Sequence, residues 1–178
     1  MEENNNRVYL GIDPGAKGFI TLNTGGKIEF FSIADLDIYV IADTLGMIKR
    51  RYPNVICVME EVHAIFGSSA KSTFNFGEIN GILKGVLMAN KIPYHLVQPK
   101  VWQKEIWANK DYIINYKTKT IRGVERSIKE INTKATSINA AKRLFPAIDF
   151  RKNERCKNID DNKVDSLLIA EYGRRKNL

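Results

Sequence analysis

The sequence predicts a mixed α/β fold: a five-stranded sheet of order 3-2-1-4-5 flanked by helices. Three observations carry this expectation. Three short apolar segments follow one another with Pro-Gly and Gly-Gly turns between them, the pattern of a meander. Two further apolar segments alternate with stretches whose apolar residues recur at helical spacing. No repeat, low-complexity stretch or linker divides the 178 residues, so 1–178 reads as one domain with 1–6 as a disordered polar start.

Taken in order, residues 8–12 form the first strand, which ends at Asp13 before the turn residues Pro14 and Gly15. Residues 18–22 are the second strand, and Gly25-Gly26 turns it into the third, 27–33. Residues 35–51 carry Leu36, Tyr39, Val40, Leu45 and Ile48 mostly at helical spacing. Residues 55–59 are apolar on both faces, as in a central strand, and run into Glu60 and Glu61. Residues 64–72 are small and polar, hence a loop. A helix over 74–90 follows, with Ile79, Ile82, Leu83, Val86 and Leu87 turned inward. Residues 94–97 are the fifth strand, and Pro99 opens a helix containing Val101, Trp102 and Ile106. The basic insertion 108–133 shows no usable pattern. Thr136 or Ser137 caps a helix that stops at Pro146, and the last helix opens at Asp160 or Asp161.

Composition narrows the function. With 44% hydrophobic and 27% charged residues the chain is neither disordered nor fibrous. Two His (His63, His95) and two Cys (Cys57, Cys156), far apart, argue against a Cys/His zinc site and a disulfide framework, and fit the reducing cytoplasm. No apolar run approaches the roughly 20 residues of a membrane span, so no membrane partner is expected. The start of the chain has no signal-peptide core. The net charge is +8, and it is unevenly placed. Residues 100–135 hold nine basic side chains (Lys100, Lys104, Lys110, Lys117, Lys119, Arg122, Arg126, Lys129, Lys134) against four acids, with Trp102, Trp107, Tyr112 and Tyr116 among them. Such a stretch either follows a phosphate backbone and stacks on unpaired bases, or is a solvated lysine-rich surface.

Acids stand where sheets and helices usually bury apolar atoms. Asp13 ends the first strand, Glu60 ends the central one, and Asp161 and Asp165 lie four apart on the last helix, on one face. In the order 3-2-1-4-5 the first and fourth strands are neighbours. Four converging acids without basic partners would repel one another, and divalent cations with carboxylate and water ligands, Mg²⁺ or Mn²⁺, would relieve that repulsion. Each acid also has a plainer reading: Asp13 as a turn residue, Glu60 at an exposed edge, Asp161 as an N-cap, Asp165 in solvent.

The blocks Gly11-Ile-Asp-Pro-Gly15, Val58-Met-Glu-Glu-Val-His63, Ser72-Thr-Phe-Asn-Phe-Gly-Glu78 and Asp161-Asn-Lys-Val-Asp-Ser-Leu-Leu-Ile-Ala170 span nearly the whole chain. In order and spacing they resemble the RuvC Holliday-junction resolvases, above all the RuvC-like versions of bacteriophages. The resemblance implies a ribonuclease-H-like fold, a homodimer, and a role in DNA recombination and repair. It further implies Mg²⁺-dependent endonuclease action at four-way DNA junctions by paired phosphodiester hydrolysis, with two metal ions per site and 5′-phosphate and 3′-hydroxyl ends. Carried over, the catalytic and metal-binding acids are Asp13, Glu60, Asp161 and Asp165, with Glu61 and Asp160 as the competitors for the second and third places. Lys134 stands where the family has a basic residue that helps catalysis, and Lys104 is a second candidate; generic phosphate contact is the alternative for both. DNA contacts fall on Lys100, Lys104, Lys71, Ser72, Phe74 and His63, with Phe66 or Phe74 as a wedge between bases. Phe74 is alternatively the first core residue of its helix, and His63 a structural histidine. Gly77, Gly81 and Gly85 let the helix over 74–90 approach either a second copy or its own sheet.

The competing expectations are a broader flap and fork endonuclease, a non-catalytic junction-binding protein, and an ATP-using sugar kinase or actin-like protein suggested by Gly11-Ile-Asp-Pro-Gly15. The chain is too short for the two lobes of the last.

Overall fold

The computed structural model describes residues 7–35, 37–61, 69–121 and 124–178, so the start 1–6 lies outside the described residues. β1 (Tyr9–Asp13), β2 (Phe19–Asn23) and β3 (Ile28–Ser32) form the antiparallel meander. β4 (Ile56–Glu60) pairs parallel with β1, and β5 (Tyr94–Val97) parallel with β4, which gives the order β3-β2-β1-β4-β5. This is the sheet that the sequence predicts. α1 (Ile38–Arg51) and α2 (Ala70–Ala89) pack Ile41, Leu45, Ile48, Leu83 and Leu87 on one face, against Leu10, Ile12, Cys57 and Met59. α3 (Pro99–Ile106), α4 (Thr133–Leu144) and α5 (Asp161–Lys176) cover the other, where Trp102, Ala140, Ala141, Leu167 and Leu168 meet Val58 and Val97.

The two-residue period of the strands decides what points at α5. Leu10 and Ile12 belong to the α1/α2 core, so Gly11 faces α5. A Cβ on Gly11 would stand 2.0 Å from Ser166 O and 2.4 Å from Ala170 N, so α5 lies directly on the backbone of β1. A buried hydrogen bond of 2.6 Å between Thr21 and Ser166 hydroxyls fixes the same helix to β2. Asp13, two residues beyond Gly11, and Glu60, two beyond Val58, therefore share the α5 side of the sheet.

Two expectations are corrected, and a segment without a sequence pattern takes a defined form. α2 begins at Ala70, capped by Ser69, whose Oγ accepts from Ser72 N at 3.1 Å. Its first turns are exposed and leave no apolar periodicity to read, and Phe74, 71% exposed, is not a core residue. α4 begins at Thr133, and its cap is Asn132, which accepts from Ala135 N at 3.1 Å. Thr136 and Ser137 are buried inside that helix; Thr136 Oγ1 accepts from Ile113 N instead. The basic insertion contains a two-stranded antiparallel ribbon, β6 (Ile114–Ile121) and β7 (Val124–Ile131). Of its described side chains Ile128 alone is half-buried and the others are exposed, so the inside-outside alternation that marks a strand in sequence is missing.

Candidate active site

β1 and β4 run parallel with Gly11 opposite Val58 and Ile12 opposite Met59. One further step of that register sets Asp13 beside Glu60 at the ends of the strands. The N-terminus of α5 reaches the same place. Asp160 is its N-cap, with Oδ1 accepting from Asn162 N at 3.1 Å and Lys163 N at 3.4 Å, so this carboxylate is occupied by the helix end. Asp161 stands in the first turn, and Asp165 follows one turn later on the same face.

The acids act on one another. Burial pushes the Asp13 carboxyl up to about 7; Glu60, Asp161 and Asp160 add to this, and a hydrogen bond from the Gly15 backbone opposes it. Burial likewise raises Asp165 to about 8; the Ser137 hydroxyl opposes the rise, and Asp13, Glu60 and Asp161 reinforce it. Glu60 is raised by burial and held down by the Trp102 indole, whose Nε1 donates to Oε2 at 2.8 Å. Glu60 is thus the glutamate whose charge reaches Asp13 and Asp165.

Among the described residues no three His, Cys, Asp or Glu side chains converge closely enough to hold a metal ion in this conformation. Two of the acids are engaged by other side chains. Asp161 Oδ2 is drawn to Lys134 Nζ at 2.5 Å, and Glu60 is tied back to Trp102. Asp165 Oδ1, by contrast, is buried with no hydrogen-bond partner among the described residues. A buried orphan oxygen among mutually repelling hard-oxygen donors fits a divalent cation. The Lys134 ammonium supplies positive charge there meanwhile: its pKa is raised chiefly by the hydrogen bond to Asp161, with Asp165 and Asp13 contributing.

The remaining predicted residues are spread more widely. Lys134 lies in the first turn of α4, 73% exposed at its side chain. Lys100 and Lys104 are exposed on α3, each two residues from Trp102 and so about 200° around the helix from the side chain that meets Glu60. Lys71 and Ser72 are exposed in the first turn of α2, and Phe74 follows on the same helix. His63 and Phe66 lie outside the described residues. Among the described residues nothing stands within 4 Å of a Cβ placed on Gly77, Gly81 or Gly85, so these glycines do not serve packing on their own sheet.

Sequence reasoning missed five contributors. Trp102, read as a stacking aromatic, is fully buried and orients Glu60. Ser137, read as a cap, lies against Asp165. Arg143 grips buried Asp111 (Nε to Oδ1 2.9 Å, Nη2 to Oδ2 2.6 Å) and donates to Ile106 O at 2.9 Å, which locks the end of α3 to α4. Lys17 and Lys157 line a cleft of about 430 Å³ that also contains Asp160 and Asp161. Only their basic character was visible beforehand.

A mixed sheet in this order, with acids at the ends of its two central strands and on the helix crossing them, defines the ribonuclease-H-like fold. No family model matches the sequence, and no curated protein does either. Among solved structures the chain has the fold of RuvC. Thermus thermophilus RuvC in complex with a Holliday junction substrate matches at 11% identity and TM-score 0.55, over 95% of this chain and 96% of that one. A second T. thermophilus RuvC structure matches at 12% identity and TM-score 0.51, over 96% of both chains. The yeast mitochondrial Holliday junction resolvase is a looser match, with 15% identity and TM-score 0.45 over 96% of this chain and 80% of that one.

Proposed function

We propose that this protein is a divalent-cation-dependent endonuclease that resolves four-way DNA junctions by paired phosphodiester hydrolysis, leaving 5′-phosphate and 3′-hydroxyl ends. The observation that carries the reading is the mutual electrostatic influence of Asp13, Glu60, Asp161 and Asp165 at one end of the sheet, with Asp165 Oδ1 buried and without a hydrogen-bond partner among the described residues. The fold shared with RuvC and the surplus of basic residues support it.

Asp13, Glu60, Asp161 and Asp165 are the residues that would hold two Mg²⁺ ions, or Mn²⁺ in their place, and these ions would supply an activated water and charge neutralisation at the phosphoryl oxygens. The chain's own groups prepare that site. Trp102 keeps one oxygen of Glu60 fixed and leaves the other for ligation. Lys134 neutralises Asp161, and with a cation in that role its ammonium would be free to meet a phosphate oxygen. Lys17 and Lys157 offer further positive charge along the cleft beside Asp161. Paired cuts need two sites, so the active form in this reading is a homodimer, with the open glycine stripe of α2 as its contact.

The test is incision of a labelled four-way junction, a flap, a fork and a plain duplex, each with and without Mg²⁺. Symmetric paired cuts in the junction alone support the proposal. Comparable cutting of flaps and forks replaces it with the broader branched-DNA nuclease. Junction binding without incision in the presence of Mg²⁺ leaves a non-catalytic binding protein.

A further inference from the structure

We propose that the β6–β7 ribbon is a DNA-binding arm that lays one face, carrying Lys119 and Arg126, on the phosphate backbone beside the cut. This rests on the reading of the protein as a DNA nuclease and adds where, outside the acids, the duplex is gripped.

The ribbon's two faces differ. In its register Lys117 lies opposite Ile128, Lys119 opposite Arg126 and Asn115 opposite Glu130, and these side chains share one face. The other face carries Tyr116 opposite Lys129, Thr118 opposite Ser127 and Thr120 opposite Glu125, so its charges cancel. On the first face Glu130 is taken by Lys117 in an ion pair of 2.5 Å. Lys119 and Arg126 are left directly across from each other, and among the described residues neither forms an ion pair. Like charges directly opposed across a ladder weaken it, and a two-stranded ribbon is marginal in water to begin with. A face built this way gains from a polyanion what it lacks in itself.

Placement decides which polyanion. The ribbon spans eight residues per strand, about 27 Å at the antiparallel rise, and is solvent-exposed along its length. At its base Asn132 N donates to Ile113 O at 2.8 Å, and Asn132 also caps α4. Two residues after that cap comes Lys134, paired with Asp161. The arm is therefore rooted two residues from the side chain that pairs with Asp161, within reach of DNA held at the acids. A duplex offers a phosphate every few ångströms over such a length, and its major groove admits a two-stranded ribbon.

The test uses the full chain in EDTA and measures its affinity for a fluorescent four-way junction and for a linear duplex between about 50 and 300 mM KCl. Lys119→Gln/Arg126→Gln should weaken binding on the order of tenfold near 150 mM salt. It should also flatten the log–log salt slope by about 1.8, two phosphate contacts at about 0.9 each. Lys129→Gln, on the opposite face, should leave the slope unchanged, and the double variant should melt no lower than the parent. A double variant with unchanged affinity and slope, in a parent that binds DNA, overturns the arm and leaves the nuclease reading standing. Equal flattening by Lys129→Gln overturns the assignment to one face. A parent that binds neither DNA overturns both readings.

Discussion

Trp102 Nε1 donates to Glu60 Oε2 across 2.8 Å, so a fully buried indole in α3 holds the carboxylate at the end of β4. That bond favours the ionised form of Glu60 against the burial that raises its pKa. Trp102→Phe keeps an aromatic ring and removes the donor. Its expected effects are a stability loss of about 2–3 kcal/mol, from the smaller ring and the lost bond, and a displaced acid limb in the pH profile of cleavage. The limb should move to higher pH, because Glu60 then needs a higher pH to ionise. A profile that keeps its position while the rate falls would show that the indole only fills space.

Stability of the cation-free protein should fall as pH rises. Asp13 and Asp165 have native pKa values raised to about 7 and about 8 from an ordinary 3.8. Between these limits the native state keeps protons that the unfolded chain has lost, so stability is fully present below about pH 4 and declines through pH 7 to 8. Asp165→Asn removes one of the two groups; at pH 9 it should melt higher than the parent, by the equivalent of about 2–4 kcal/mol. Thermal melts in EDTA from pH 5 to pH 9 measure both effects. Mg²⁺ should raise the parent's melting temperature most at the alkaline end, where both carboxylates are ionised.

The meander, the central strand and the last helix were legible because their apolar residues repeat with periods that only a strand or a helix satisfies. Asp13 and Glu60 stood out in the sequence as charges at the ends of apolar segments, and Asp161 and Asp165 as acids one helical turn apart. The ribbon was not, since exposure on both faces removes the alternation that marks a strand. The partners of the acids were hidden for another reason. Trp102 in a helix and Ser137 near a helix start each have common local explanations, and only the packing of α3 and α4 against the strand ends brings them to Glu60 and Asp165. The early start of α2 escaped because a single serine cap, Ser69, sets it.

Lys134 holds Asp161 from a side chain that is mostly in solvent, so the pair contributes little to folding. Lys134→Gln should change the melting temperature by a degree or two at most. It should nevertheless lower incision of the junction by about 10²-fold, the usual loss when one charge facing a developing oxyanion is removed. The same change frees Asp161 from its ammonium, so Mn²⁺ should bind several-fold more tightly, by calorimetry, while the rate falls. Weaker Mn²⁺ binding together with slower incision would mean that Lys134 positions the acids instead of competing for them.

Two glycines separate the packing inside the chain from the packing proposed between copies. A methyl group on Gly11 collides with the backbone of α5 at Ser166 and Ala170, neither of which can give way while the helix lies on β1. Gly11→Ala should therefore cost at least about 3 kcal/mol and displace Asp165, abolishing incision with it. Gly81 meets none of the described residues in the middle of α2, where alanine is the better helix former by about 1 kcal/mol. In a monomer Gly81→Ala and Gly81→Leu should both stabilise the fold or leave it unchanged. If a second copy's helix packs on the stripe of Gly77, Gly81 and Gly85, the leucine must instead break the dimer while each chain stays folded. Sedimentation of the parent and of Gly81→Leu over a range of concentrations reads this directly. Equal self-association of the two would place the contact between copies on another surface.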